Sequence, residues 1–365
     1  MHESLWDAVT DEETACDSRD FIMTSSNITA INHAAAWQAK QIGPLDKAAI
    51  EFKHRHIEAL KNALKRWPHA LDRLDLVSPD TFQLSGIKSE IEQLKQELDN
   101  GSGLVAFKGF PVEDFDLAEL RLVYLGLGCH FGRPTSQSAM GDLVGDVINI
   151  GDRDRNERAY RSRRKLQLHT DRCDHIGMLC IRPAMRGGES SCASALAIHN
   201  VIHEERPDLL ACLYNGYFHH RFGEQAPGEP PVTPERIPIF SFANRVATVI
   251  FIRGYIDLAV KEGHVALSDA ELAALDYFDD VANRPEIRLD YMMQAGDLNF
   301  MNNCHLLHSR SEFEDSDDPD KKRHLLRLWL RDDGRPISQG AALHKGRSGI
   351  VVQDGKGTYY AGATA

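Results

Sequence analysis

The run Leu166-Gln167-Leu168-His169-Thr170-Asp171 alternates apolar and polar residues and ends on a histidine and an aspartate two positions apart. In an extended strand, residues i and i+2 point to the same side. One imidazole and one carboxylate therefore converge on a single point, as two ligands of a 2-His-1-carboxylate iron(II) site do. Alone, the pattern fits a His–Asp hydrogen bond on a core strand equally well. A second histidine and an anion-binding arginine downstream are needed to separate the two readings.

Both occur. Gly296-Asp297 is a turn signal leading into a strand, and that strand leads to His305 and His308. The stretch Arg323–Arg331 is again patterned as a strand, with Arg323, Arg327 and Arg331 on one face. A row of guanidiniums on a buried strand needs anions, and guanidinium geometry suits bidentate recognition of carboxylates.

Bulk properties narrow the partners. The 42 Lys+Arg against 54 Asp+Glu leave a net charge of −12, which argues against nucleic acid or an anionic membrane. The seven cysteines are scattered without a Cys-x-x-Cys pair, so neither a disulfide framework nor a thiolate zinc site is expected. The acidic N-terminus has no signal pattern, and no apolar run reaches the ~18 residues of a membrane span. A cytoplasmic protein acting on a small molecule is expected, with homo-oligomerisation left open.

Along the chain, 1–45 reads as an arm and 46–100 as a helical elaboration with helices over 46–66 and 89–98. Residues 101–340 read as one domain, and 341–365 as a tail. Expected strands are 103–111, 166–169, 176–182, 189–195, 214–222, 238–241, 247–253, 288–293, 298–301 and 323–331. Helices are expected near 116–127, 196–206, 255–261 and 268–283, two of them opened by the capping boxes Asp116/Glu119 and Ser268/Glu271. The class is mainly β with flanking helices, a sandwich or jelly roll.

These motifs together resemble the taurine-dioxygenase-like (TauD/TfdA) family of iron(II)/2-oxoglutarate-dependent oxygenases. The similar stretches are Leu168-His169-Thr170-Asp171, Gly187-Gly188-Glu189-Ser190, Gly296-Asp297 with Asn303 and His308, and Arg323-x3-Arg327, over roughly residues 100–335. The resemblance implies a double-stranded β-helix (jelly roll, clavaminate-synthase-like). It implies that His169, Asp171 and His308 bind Fe(2+), the Asn303 spacing favouring His308 over His305. Arg323 would take the distal carboxylate of 2-oxoglutarate, with Ser190 beside it, and Arg327 an anionic group of the substrate. An acidic insertion (Glu312, Glu314, Asp315, Asp317, Asp318, Asp320) separates His308 from Arg323, so Arg327 is held in reserve for the cosubstrate. Dioxygen, iron and 2-oxoglutarate would then oxidise a C–H bond, with release of succinate and CO2.

Two other classes use similar residues. A zinc hydrolase with the same triad needs a general-base glutamate and has no use for Arg323. A cupin-like binding protein needs no turnover. Gln137, in the loop after Gly132-Arg133-Pro134, is a further candidate substrate contact, and the basic cluster Arg158, Arg161, Arg163, Arg164 and Lys165 a solvated face or an anion-attracting rim. His175, His219, His220 and Cys173 read as structural or as pocket lining.

Overall fold

The alternation after Arg323 sorts one strand onto two cores. In the computed structural model, which describes residues 28–150, 159–225, 228–346 and 349–353, His324–Arg331 and His175–Arg182 are the two longest strands of a central sheet. Leu326, Leu328 and Leu330 face a helical layer, while Trp329 packs inward.

The strands of the two larger sheets are, in chain order, β1 (Ile50–Glu51), β2 (Leu104–Lys108), β3 (Arg133–Pro134), β4 (Val144–Val147), β5 (Leu166–His169), β6 (His175–Arg182), β7 (Ser190–Ser194), β8 (Arg288–Tyr291), β9 (Leu298–Asn302), β10 (Leu306–Arg310) and β11 (His324–Arg331). The larger sheet runs β1-β2-β9-β6-β11-β3, with β4 also paired to β11. The smaller runs β8-β7-β10-β5. Their inner faces share one apolar cluster: Leu104, Ile176, Met301 and Trp329 from one sheet meet Cys192, Leu289 and Leu306 from the other.

The outer faces are covered separately. Helices α1 (His54–Arg66), α2 (Lys88–Asn100) and α3 (Leu117–Gly128) cover the large sheet. Helices α4 (Ala195–Glu205), α5 (Pro207–Asn215), α6 (Arg253–Lys261) and α7 (Asp269–Ala282) bury Leu168, Ala193 and Leu307 of the small one, together with the ribbon Phe240–Ala243/Val246–Val249. The capping boxes at Asp116 and Ser268 both form. Gly296, at φ 84, turns the chain into β9 where a Cβ would meet the Phe110 carbonyl oxygen at 2.8 Å, a position only glycine fills without strain. No helix among the described residues is long and apolar enough to cross a membrane.

Several expectations shift. The strand expected over 214–222 is absent: Leu209, Leu210 and Leu213 recur at helical spacing behind Pro207, so α5 runs to Asn215 and only isolated bridges at Tyr217 and His220 follow. The helix expected over 46–66 is interrupted: Leu45–Ala48 forms one turn, Ile50–Glu51 pairs in parallel with β2, and the long helix starts at His54. Strands β4 and β10 were not anticipated. The N-terminal arm lies outside the described residues up to residue 27. From there it is packed: Trp37 is buried and its Nε1 donates to Ser102 O. The tail boundary at 341 falls inside helix α8 (Gln339–Lys345), whose His344 and Lys345 are buried.

Candidate functional site

Antiparallel pairing of β5 with β10 sets His169 directly opposite His308. Their ring centroids are 4.3 Å apart. Asp171, just beyond β5, points between them: its Oδ1 lies 3.7 Å from His169 Nε2 and its Oδ2 3.6 Å from His308 Nε2. The three ligand atoms fall within 4.8 Å of one another, the arrangement a single metal ion needs. His305 turns away and stacks edge-on with His33 at 4.8 Å, so of the two candidates His308 joins the cluster.

The protonation states suit a metal. His169 Nδ1 sits 2.8 Å from the Gln167 carbonyl, which can only accept, so the ring proton is on Nδ1 and the Nε2 lone pair faces Asp171. Burial, reinforced by His308, pushes the His169 pKa down to about 4, and the ring is neutral at pH 7. Burial alone would raise Asp171, but Arg327, His308 and His169 hold it well below the usual carboxylate range. Two imidazoles and a carboxylate are the donor set of a facial triad with open positions.

A supporting layer fixes the aspartate. Asn303 accepts from the Asp171 N–H at 2.8 Å and donates to the carbonyls of Asp171 and Cys173, both at 2.7 Å. Trp329 Nε1 donates to Asp171 Oδ2 at 2.8 Å, and Arg327 Nη1 reaches the same oxygen at 3.2 Å. Such partners orient ligands and tune their basicity. Gln137 is fully buried behind Arg327: it accepts from Arg327 Nε at 2.8 Å and donates to the Arg327 and Leu143 carbonyls. It does not line the cavity at the triad, so the geometry makes it a positioner of Arg327.

That cavity, about 50 Å³, is lined by His169 and His308 together with Tyr160, Ser190, Tyr291, Arg310, Arg323 and Arg327. Of the three arginines expected to share a strand face, Arg327 and Arg331 lie on β11 and Arg323 immediately precedes it, and each meets a different environment. Arg327 meets Asp171, Arg331 meets Asp174 at 3.5 Å, and Arg323 enters the cavity. Arg323 is 3 % exposed, and its Nη1 has no partner among the described residues. Arg310 lies beside it, both guanidiniums over the Phe313 ring at 4.7 and 5.0 Å. Burial, and for Arg310 also the neighbouring Arg323, lowers their pKa values to about 9 and about 10. Two buried cations with no carboxylate at salt-bridge distance among the described residues form a site suited to an anion. The acidic insertion contributes only Asp315, which accepts from the Arg323 backbone N–H at 2.8 Å.

Trp329, Arg310, Tyr160 and Tyr291 were missed as site residues. Trp329 was within reach, since it shares strand parity with Arg327. His175 is engaged elsewhere, between Phe131 O at 2.9 Å and Asp99 at 3.0 Å. His219 packs on His344, and His220 joins Glu262 and His264 in a second cluster. Cys173 is buried and serves packing and the Asn303 clasp. Of the basic cluster, Arg158 lies outside the described residues.

Residues 68–329 match the family described as taurine catabolism dioxygenase TauD, TfdA family. The chain is 32% identical over 262 residues to FR-33289 synthase of Streptomyces rubellomurinus (strain ATCC 31215), covering 70% of this chain and 77% of that protein. It is 24% identical to the taurine hydroxylase-like protein SAT17 of Stachybotrys chartarum, covering 83% and 80%. Among solved structures, asparagine oxygenase in complex with Fe(II), 2S,3S-3-hydroxyasparagine and succinate superposes with a TM-score of 0.61 at 13% identity, over 78% of this chain and 93% of that one. The non-heme iron oxygenase OrfP in complex with Fe and alpha-ketoglutaric acid gives 0.59 at 13% identity, over 78% and 94%.

Proposed function

Because the chain belongs to the TauD/TfdA family of iron(II)/2-oxoglutarate-dependent oxygenases, we propose that it hydroxylates an unactivated C–H bond of a small anionic or amino-acid-like molecule. In this reading the two sheets are the halves of a double-stranded β-helix, and the inner face of the small sheet carries the reaction. The observation that carries it is the union of His169, Asp171 and His308 with a buried Arg323 whose Nη1 has no partner among the described residues.

His169, Asp171 and His308 would hold iron(II), which when bound supplies the oxidative decarboxylation of 2-oxoglutarate by dioxygen to succinate and CO2. Arg323 would bind the distal carboxylate of the cosubstrate, with Arg310 adding positive potential. Ser190, which pairs in register with Arg310, would offer its hydroxyl. Divalent iron, one carboxylate and a dicarboxylate leave one negative charge, which Arg323 neutralises, lowering the cost of enclosing the cluster. Arg327 keeps Asp171 ionised through Nη1 and also lines the cavity. An anionic group on the substrate would meet it there. Trp329 and Asn303 prevent Asp171 from rotating off the ligand position.

The amino-acid element of the reading leans on the neighbours, whose complexes contain 3-hydroxyasparagine and (3S)-hydroxy-L-Arg. A zinc hydrolase is less well supported, because no glutamate among the described residues lines the cavity. The test is to incubate the protein with iron(II), 2-oxoglutarate and a panel of amino acids, sulfonates and phosphonates, and to follow succinate together with product mass. Succinate matched by a product one oxygen heavier is expected. Hydrolysis that proceeds with zinc and without dioxygen would overturn it.

A further inference from the structure

Behind the triad, three buried side chains meet that the reaction does not use. Lys345, at the end of α8, and Cys304, in the turn between β9 and β10, have no exposed surface, and Asp174 is 3 % exposed. Lys345 Nζ donates to Asp174 Oδ1 at 2.7 Å and lies 2.9 Å from Cys304 Sγ. Asp174 answers the charge of the lysine, with Arg331 as its second cation. The thiol is not needed for that pairing. Yet the amine lies closer to it than the other thiol contacts of the described residues, which run from 3.2 to 3.9 Å.

We propose that Cys304 and Lys345 are an oxidation-sensitive pair that becomes joined through one oxygen atom, as Sγ–O–Nζ. Two molecules of hydrogen peroxide balance the step. The first oxidises the thiol to a sulfenic acid and leaves as water. The second takes two electrons from the sulfenic oxygen and the lysine nitrogen, which form the O–N bond, and leaves as two waters. The sulfenic acid and the free amine each give up one hydrogen in that step, the amine's other hydrogen staying on nitrogen, and the ammonium's extra proton passes to Asp174. A cavity of about 540 Å³ lined by Asp174, Arg331 and Gly346 reaches this cluster and gives a small oxidant its approach.

The link would tie α8 to the turn that carries Asn303, the residue clasping Asp171. It would also replace the ammonium beside Asp174 with a non-basic nitrogen. Oxidation behind the site is thereby coupled to the loop that holds a metal-binding carboxylate. The inference stands on the Cys304–Lys345 geometry and not on the assigned reaction.

The test treats the purified full chain with hydrogen peroxide and measures intact mass and tryptic peptides without reductant. Expected is a gain of one oxygen less two hydrogens, in a peptide that joins Cys304 to Lys345 and resists cleavage after Lys345. Dithiothreitol should restore the original mass. Cys304→Ser, which keeps the Lys345–Asp174 pair, should give no joined peptide; the wild-type spectrum needs no variant at all. Three results would overturn the proposal. One is Cys304 carrying one to three oxygens with Lys345 free. Another is a joined peptide without the oxygen. The last is an unmodified Cys304 after exposure sufficient to oxidise Met185, which is 59 % exposed.

Discussion

Two clusters in this protein have nearly the same composition and opposite chemistry. His169, Asp171 and His308 form one; His220, Glu262 and His264 form the other. In the second, His220 Nε2 lies 3.2 Å and His264 Nε2 3.3 Å from Glu262 Oε2. The difference is behind the first ring. His169 Nδ1 faces a carbonyl, whereas His220 Nδ1 faces the Phe222 N–H at 2.9 Å. A neutral His220 must therefore carry its proton on Nε2 and donate it to Glu262, while a neutral His169 offers a lone pair there. Ligand identity and spacing do not make a metal site; the backbone group at the far nitrogen decides which way the ring is charged with its proton.

The largest test of that contrast exchanges the carboxylates. Asp171→Ala should remove iron(II) binding and lower turnover by roughly three orders of magnitude or more, while Glu262→Gln leaves both within about twofold, measured by iron titration and succinate release. Loss of iron in the Glu262 variant would break the comparison. Next, Arg323→Ala should raise the 2-oxoglutarate concentration for half-maximal rate by about 100-fold, the scale of a lost charge-assisted contact. An effect of that size on Arg327→Ala instead would move the cosubstrate to the reserve position.

Acid should expose the buried neutral rings. Burial brings His169 and His199 to about 4 and His219 to about 3, each below the usual 6.5 of the unfolded chain. Between those values the unfolded state binds more protons, so stability is complete above pH 6.5 and is lost as pH falls toward 4. The melting temperature of the metal-free protein should drop by roughly ten degrees or more across that window; a flat profile would contradict the neutral assignment. The smallest effect is expected at Trp329→Phe. Removing its hydrogen bond to Asp171 should weaken iron binding by about tenfold without unfolding the protein, read by iron titration and circular dichroism.

Much of the site was legible because strand periodicity is local. His169 and Asp171 needed only a period of two, and so did the shared face of Arg323, Arg327 and Arg331. What the three arginines meet was not legible, since Arg327 finds Asp171 156 residues away and Arg331 finds Asp174 157 residues away. Gln137 illustrates the same limit: its position near the site was anticipated, but the partner that absorbs its amide is 190 residues distant. In the fold, Leu209, Leu210 and Leu213 carried a helical signal that the following aromatic run obscured. The buried Trp37 had no periodic neighbours to announce it.

Iron(II) and 2-oxoglutarate binding at His169, Asp171 and His308 is read by an anaerobic titration of the purified protein with iron(II) and then 2-oxoglutarate, watched for the weak visible charge-transfer band of the chelate. The band is predicted in wild type and in Glu262→Gln, and is predicted to be absent in Asp171→Ala. Wild-type protein that retains zinc through purification and develops no band would contradict it.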